Sequence, residues 1–90
     1  MNAQTRELFR QALLVALAGA APYSVPTGLM KVHAISGGFG KVEDRELELE
    51  LDYLREKGLA IVDDKLISPE NKRWKITATG RDYLAQQGLA

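Results

Sequence analysis

Leu51-Asp52-Tyr53-Leu54-Arg55-Glu56-Lys57-Gly58-Leu59-Ala60 holds the joint on which the reading of the whole chain turns. Leu47, Leu51 and Leu54 recur at helical spacing, and Glu43, Asp44 and Glu46 form an acidic first turn that complements the dipole at a helix start. The pattern predicts a third helix from near Glu43 to Lys57. Gly58 is its stop, because glycine enters the left-handed region that turns a chain out of a helix. Leu59-Ala60-Ile61-Val62 then reads as a strand whose first residue re-enters the core.

Working downstream, 63–64 (Asp-Asp) and Ser68-Pro69-Glu70-Asn71 carry turn chemistry, and Trp74-Lys75-Ile76 supplies the return strand of a hairpin. Thr77 caps a final helix from Ala78 to about Gln87, in which Tyr83 and Leu84 offer apolar contacts, Gly80 allows close packing and Gly88 marks the end. Upstream, a first helix is expected from a cap at Thr5 to about Ala18, with Leu8 or Phe9, Ala12, Leu13, Ala16 and Leu17 forming its buried stripe. The prolines at 22 and 26 disfavour helix before them, so Tyr23 to Val25 is read as an extended connector or short strand. Thr27 is expected to cap a short second helix ending before Gly37-Gly38, with Leu29, Val32 and Ile35 or His33 on neighbouring faces. The expected class is mainly α with a small β-hairpin, in the order helix, helix, helix, hairpin, helix.

Ninety residues without a Pro/Gly/Ser-rich linker fit one domain spanning 1–90. Hydrophobic residues make up 46% but aromatics only 7%, so the core is expected to be aliphatic and modest. Twelve basic residues balance twelve acidic ones, which leaves any electrostatic preference to the distribution of charge. The absence of cysteine excludes disulfides and thiolate metal sites. The apolar run from Ala12 to Pro22 is far shorter than the ~20 residues of a membrane span, and Gln4-Thr5-Arg6-Glu7 is a poor secretory leader. A cytoplasmic protein with no membrane partner is expected.

The joint at 51–60 resembles the end of the recognition helix and the first wing strand of winged helix-turn-helix regulators, including MarR-type and PadR-type proteins. Trp74-Lys75-Ile76-Thr77-Ala78-Thr79-Gly80-Arg81-Asp82-Tyr83-Leu84 resembles their second wing strand and capped last helix. The resemblance covers residues 5 to 87 in outline; in compact length and in the tyrosine of its connector, the chain is similar to small winged-helix proteins of Mu-like phages and prophages. It implies a winged helix-turn-helix fold and a DNA-binding bacterial or phage-type transcriptional regulator.

Charge both opposes and supports that implication. Between Glu43 and Glu56 stand seven acidic residues, Glu43, Asp44, Glu46, Glu48, Glu50, Asp52 and Glu56, against Arg45 and Arg55. Duplex DNA carries one phosphate charge per ~1.7 Å, so such a helix is repelled unless its carboxylates point sideways. The helical period places Arg45, Leu49, Asp52 and Glu56 outward and Tyr53 on a flank. The hairpin is basic by contrast: Lys65, Lys72, Arg73 and Lys75 suit phosphates, or merely keep an edge strand solvated.

Trp74 reads as a packing anchor rather than a base-stacking residue. His33 lacks companions for a metal site, no triad spacing occurs, and Gly37-Gly38-Phe39-Gly40 lacks the Lys-Ser/Thr of a phosphate loop. No catalytic residue, metal or cofactor is expected.

Two readings stay open. One is a DNA-binding regulator contacting double-stranded DNA through Lys31, Lys41, Arg45, Lys65, Lys72, Arg73 and Lys75, with His33 nearby, and dimerising through its first and last helices at Leu14, Leu84 and Leu89. The other is a protein-interaction module or adaptor that meets a protein partner at the acidic third helix, through Leu49 and Tyr53, without binding DNA.

Overall fold

The computed structural model describes residues 1–63 and 72–89; Lys65 and the turn at 68–71 lie outside the described residues, as does the second residue of the turn at 63–64. The order is α1 (Ala3–Ala20), β1 (Val25–Pro26), α2 (Thr27–Ala34), a wide π-type turn (Ile35–Phe39), α3 (Asp44–Glu56), β2 (Ala60–Val62), β3 (Arg73–Ile76) and α4 (Ala78–Gln86). The molecule is mainly helical with a small three-stranded antiparallel sheet in the order β1-β3-β2. Among the described residues no helix is long and apolar enough to cross a membrane.

The helix-to-strand joint is stereochemically complete. Gly58 sits at φ +76°, the Leu59 amide donates to the Leu54 carbonyl at 2.9 Å and the Gly58 amide to the Arg55 carbonyl at 3.0 Å. These two bonds form a Schellman motif, which satisfies carbonyls that the helix end leaves open. The end of α4 repeats it, with Gly88 at φ +71°, Leu89 donating to Leu84 at 2.8 Å and Gly88 to Ala85 at 3.1 Å.

Thr77 binds the two halves of the fold together. Its hydroxyl accepts from the Gly80 amide at 2.9 Å, capping α4, and donates to the Gly58 carbonyl at 2.7 Å, while its amide donates to the Leu59 carbonyl at 3.1 Å. Gly80 lies so close that an added Cβ would stand 2.2 Å from the Leu59 oxygen and 2.7 Å from Ile76 Cγ1. Here glycine is required by proximity. Residues 59–60, 76–77 and 80 therefore meet at one knot.

Strand β3 is the centre of the sheet. Val25 pairs with Trp74 and Pro26 with Arg73 on one side, and Ala60, Ile61 and Val62 pair with Ile76, Lys75 and Trp74 on the other. Proline is tolerated because β1 is an edge strand. Trp74, 1% exposed, belongs to the described core cluster that includes Phe9, Leu13, Leu17, Met30 and Leu51, and its indole NH donates to Thr27 Oγ1 at 2.9 Å.

Several boundaries and faces differ from expectation. Helix α1 begins earlier, because the Asn2 carboxamide accepts from the Thr5 amide at 2.8 Å and so takes the cap. Its buried face is Phe9, Leu13, Leu14 and Leu17, and Leu8 is 55% exposed. Helix α2 buries Met30 and Ala34, leaving Leu29, Val32 and Ile35 outside. Thr27 opens α2 but does not cap it: its hydroxyl accepts from Trp74 and donates to the Lys72 carbonyl at 3.1 Å. Leu14 and Leu84 are buried, so they are not available to a partner, whereas Leu89 is 43% exposed.

G80A is expected to lower stability by about 3 kcal/mol, the upper part of the range for overpacking a closed site. G58A, which meets nothing within 4 Å but must hold a positive φ, is expected to cost about 1 kcal/mol. Urea unfolding midpoints of the two variants check the order.

Candidate nucleic-acid interface

Alternation along β3 sends Trp74 and Ile76 inward and Arg73 and Lys75 to the opposite face, where Lys75 lies across from the half-exposed Ile61. Arg73 does not extend freely from that face. Its Nε donates to Ser24 Oγ at 2.9 Å and its Nη2 to the Ser24 carbonyl at 3.0 Å, which fastens the connector before β1 to the sheet. Lys72, beside it, is exposed, and its carbonyl accepts from the Thr27 amide and hydroxyl.

The start of α2 lies against the start of α3. Lys31 Nζ meets Asp44 Oδ1 at 2.7 Å, and Thr27, Gly28, Lys31, Asp44, Leu47 and Glu48 line a shallow cavity of about 170 Å³. Through Thr27, Lys72 reaches the same end of the molecule. Lys41 and Arg45 bracket the first turn of α3, and both are exposed. Among the described residues Lys41, Arg45, Lys72 and Lys75 enter no ion pair, whereas Lys31 is neutralised by Asp44. The structure thus brings Lys31, Lys72 and the first turn of α3 together, gives Arg73 a tying role, and does not describe Lys65.

One of the seven acids in 43–56 is internal. Glu50 is 9% exposed, receives the Arg10 Nε at 2.5 Å and stands 3.6 Å from the Arg6 Nε. The Arg10 guanidinium also lies 3.6 Å above the Tyr53 ring, with Lys57 Nζ 5.7 Å from the same ring. Tyr53 is therefore a stacked, half-buried residue. The remaining acids leave the outer side of α3 negative, with Leu49 54% exposed among them. Asp52 is offset by Arg55 at 3.6 Å.

Comparison of the chain with family models, with curated proteins and with solved structures returns no match. The geometry and charge of these residues carry the functional reading by themselves.

A second concavity, about 270 Å³, lies between α1, the end of α3 and α4, and is lined in part by Glu7, Arg10, Tyr53, Lys57 and Tyr83. The Tyr83 hydroxyl donates to Glu7 Oε1 and accepts from Gln11 Nε2, the latter at 3.3 Å. Donation to the carboxylate, reinforced by burial, holds the phenol above its ordinary pKa. The polar groups around this opening are largely engaged with one another. Among the described residues no cluster of three His, Cys, Asp or Glu side chains is arranged to hold a metal, and His33 is exposed.

R73A is expected to cost about 1–2 kcal/mol of stability, because it removes two charge-assisted hydrogen bonds to Ser24. K72A is expected to stay within about 0.5 kcal/mol of the parent, as an exposed substitution touching no such feature. Equilibrium denaturation of both variants separates tie from free cation.

Proposed function

We propose that the chain is a winged helix-turn-helix domain that binds duplex DNA chiefly through the phosphate backbone, as a bacterial or phage-type transcriptional regulator. Lys72 of the wing, with Lys41 and Arg45 at the start of α3, supplies the contacts. The observation that carries the reading is that these cations are exposed and enter no ion pair among the described residues, while other basic residues, Arg6, Arg10, Lys31 and Arg55, face carboxylates. Supporting the fold assignment are the order of three helices, hairpin and helix, the Gly58 joint and the Thr77 cap.

Phosphate contacts set register and affinity but carry no sequence information, and base edges are read from the recognition helix. On α3 only Arg45 among the outward residues carries a positive charge suited to an acceptor edge. Weak discrimination between sequences follows.

The negative outer side of α3 with exposed Leu49 specifically favours the other reading, an adaptor whose α3 meets a positively charged protein surface. Titration of a labelled duplex at low and at physiological salt distinguishes the two. The K41A/K72A double variant, which spares the structural Arg73, is expected to weaken binding about tenfold and to flatten the dependence of log K on log salt by about two charges. Absence of DNA affinity, or a double variant that binds like the parent, would overturn the DNA reading.

A further inference from the structure

Among the described residues, the ion pairs that join separate elements differ in kind. Arg6 and Arg10 of α1 meet Glu50 of α3, a carboxylate only 9% exposed, which needs a partner where it lies. The pair between α2 and α3 has no such need. Lys31 meets Asp44 at 2.7 Å with the two side chains 37% and 80% exposed, and an open pair of this kind contributes little to stability. Buried Met30, Ala34, Leu47 and Leu51 already join the two helices in one core.

Position, not strength, sets this pair apart. Asp44 opens α3, with Arg45 next to it and Lys41 three residues before, both exposed. It faces Lys31 at the cleft of about 170 Å³ that Thr27, Gly28, Leu47 and Glu48 also line. Thr27 holds the Lys72 carbonyl through its amide and its hydroxyl, each at 3.1 Å, which brings the exposed Lys72 to the same cleft. Asp44 is thus a carboxylate set among the cations Lys31, Lys41, Arg45 and Lys72.

We propose that Asp44 is an internal competitor for phosphate: its carboxylate occupies on Lys31 the place that a phosphate oxygen of the duplex would take, and so limits affinity. The proposal rests on the DNA-binding reading above. Carboxylate and phosphate offer an ammonium the same kind of anionic oxygen acceptor, and lysine binds either as a point charge. Asp44 belongs to the chain and meets Lys31 at a fixed, high effective concentration, whereas a phosphate arrives from solution. A phosphate displaces the carboxylate only by leaving it unpaired beside the charged backbone of the duplex. Lys31 is therefore withheld in the parent chain, and removal of the Asp44 charge converts it into a further contact.

Titration of a labelled duplex over a range of salt concentrations, with the full chain and its variants, tests the proposal. Asp44 is exposed, so D44N leaves the core undisturbed. D44N is expected to bind about fivefold more tightly than the parent at about 0.1 M salt, and to steepen log K against log salt by about one charge, as one added phosphate contact requires. Glu43, the preceding residue, is exposed and enters no ion pair among the described residues. E43Q removes the same formal charge from nearly the same place, and is expected to gain less than about twofold. K31A is expected to change the affinity of the parent by less than about twofold, yet to abolish the gain in K31A/D44N. General loss of negative charge cannot produce that coupling.

A D44N variant that binds no more tightly than a parent that does bind, a gain matched by E43Q, or a gain that survives in K31A/D44N would each overturn the proposal and leave the DNA reading intact. Failure of both the parent and D44N to bind at low salt would overturn the DNA reading, and the proposal with it.

Discussion

The contact between the backbone of Leu59 and Gly80 is the constraint on which the arrangement depends. A helix can approach the Leu59 carbonyl, just before β2, this closely only where it lacks a side chain, and Thr77 then closes the gap with bonds to Gly58 and Leu59. The approach fixes α4 against the exit of α3, and Ile76 against Ala60. Once β3 is positioned by that register, Trp74 reaches into the core and its indole NH finds Thr27, so the start of α2 is set by the same strand. A local glycine thus determines where the second helix begins, although the two are far apart in sequence.

Charge is partitioned rather than balanced locally. Arg10 and Arg6 converge on Glu50, the one buried carboxylate among the described residues, and the stacking of Arg10 on Tyr53 recovers part of the hydration that the guanidinium loses. Lys31 answers Asp44 at the contact of α2 with α3. These pairs engage Arg6, Arg10 and Lys31, and among the described residues they leave Lys41, Arg45, Lys72 and Lys75, with Lys57 and Arg81, outside any ion pair, beside an acidic outer helix. Net neutrality conceals this uneven distribution.

The features legible in the sequence are those set by local stereochemistry. Gly58 and Gly88 terminate helices by conformations that glycine adopts freely, Thr77 lies one turn before the amide it caps, and the Leu47, Leu51, Leu54 stripe needs only its period. The side of α1 that faces the core was harder to place, because Leu8, Phe9, Leu13 and Leu14 offer two overlapping apolar stripes and only packing against α2 and α4 selects between them. Asn2 takes the cap expected at Thr5, because both side chains can accept from an amide one turn on and spacing alone does not choose between them. Glu50 and Arg73 were out of reach for another reason: their partners, Arg10 and Ser24, lie 40 and 49 residues away, and nothing in spacing distinguishes a tied charge from a free one. Arg6 and Arg10, one turn apart on α1, were the available sign that a carboxylate would turn inward.

This distinction governs how the acidic α3 is to be understood. Removal of Glu50 from the surface does not make the helix a good reader of base edges, since Glu48, Asp52 and Glu56 remain on or beside its outward side. On the proposed reading, binding led by Lys72 and Lys41 would avoid that conflict by leaving α3 shallow over the groove, at the expense of sequence discrimination. On that reading, the acidity of α3 would limit how deeply the domain docks, and the cations outside ion pairs would set how strongly it holds the backbone.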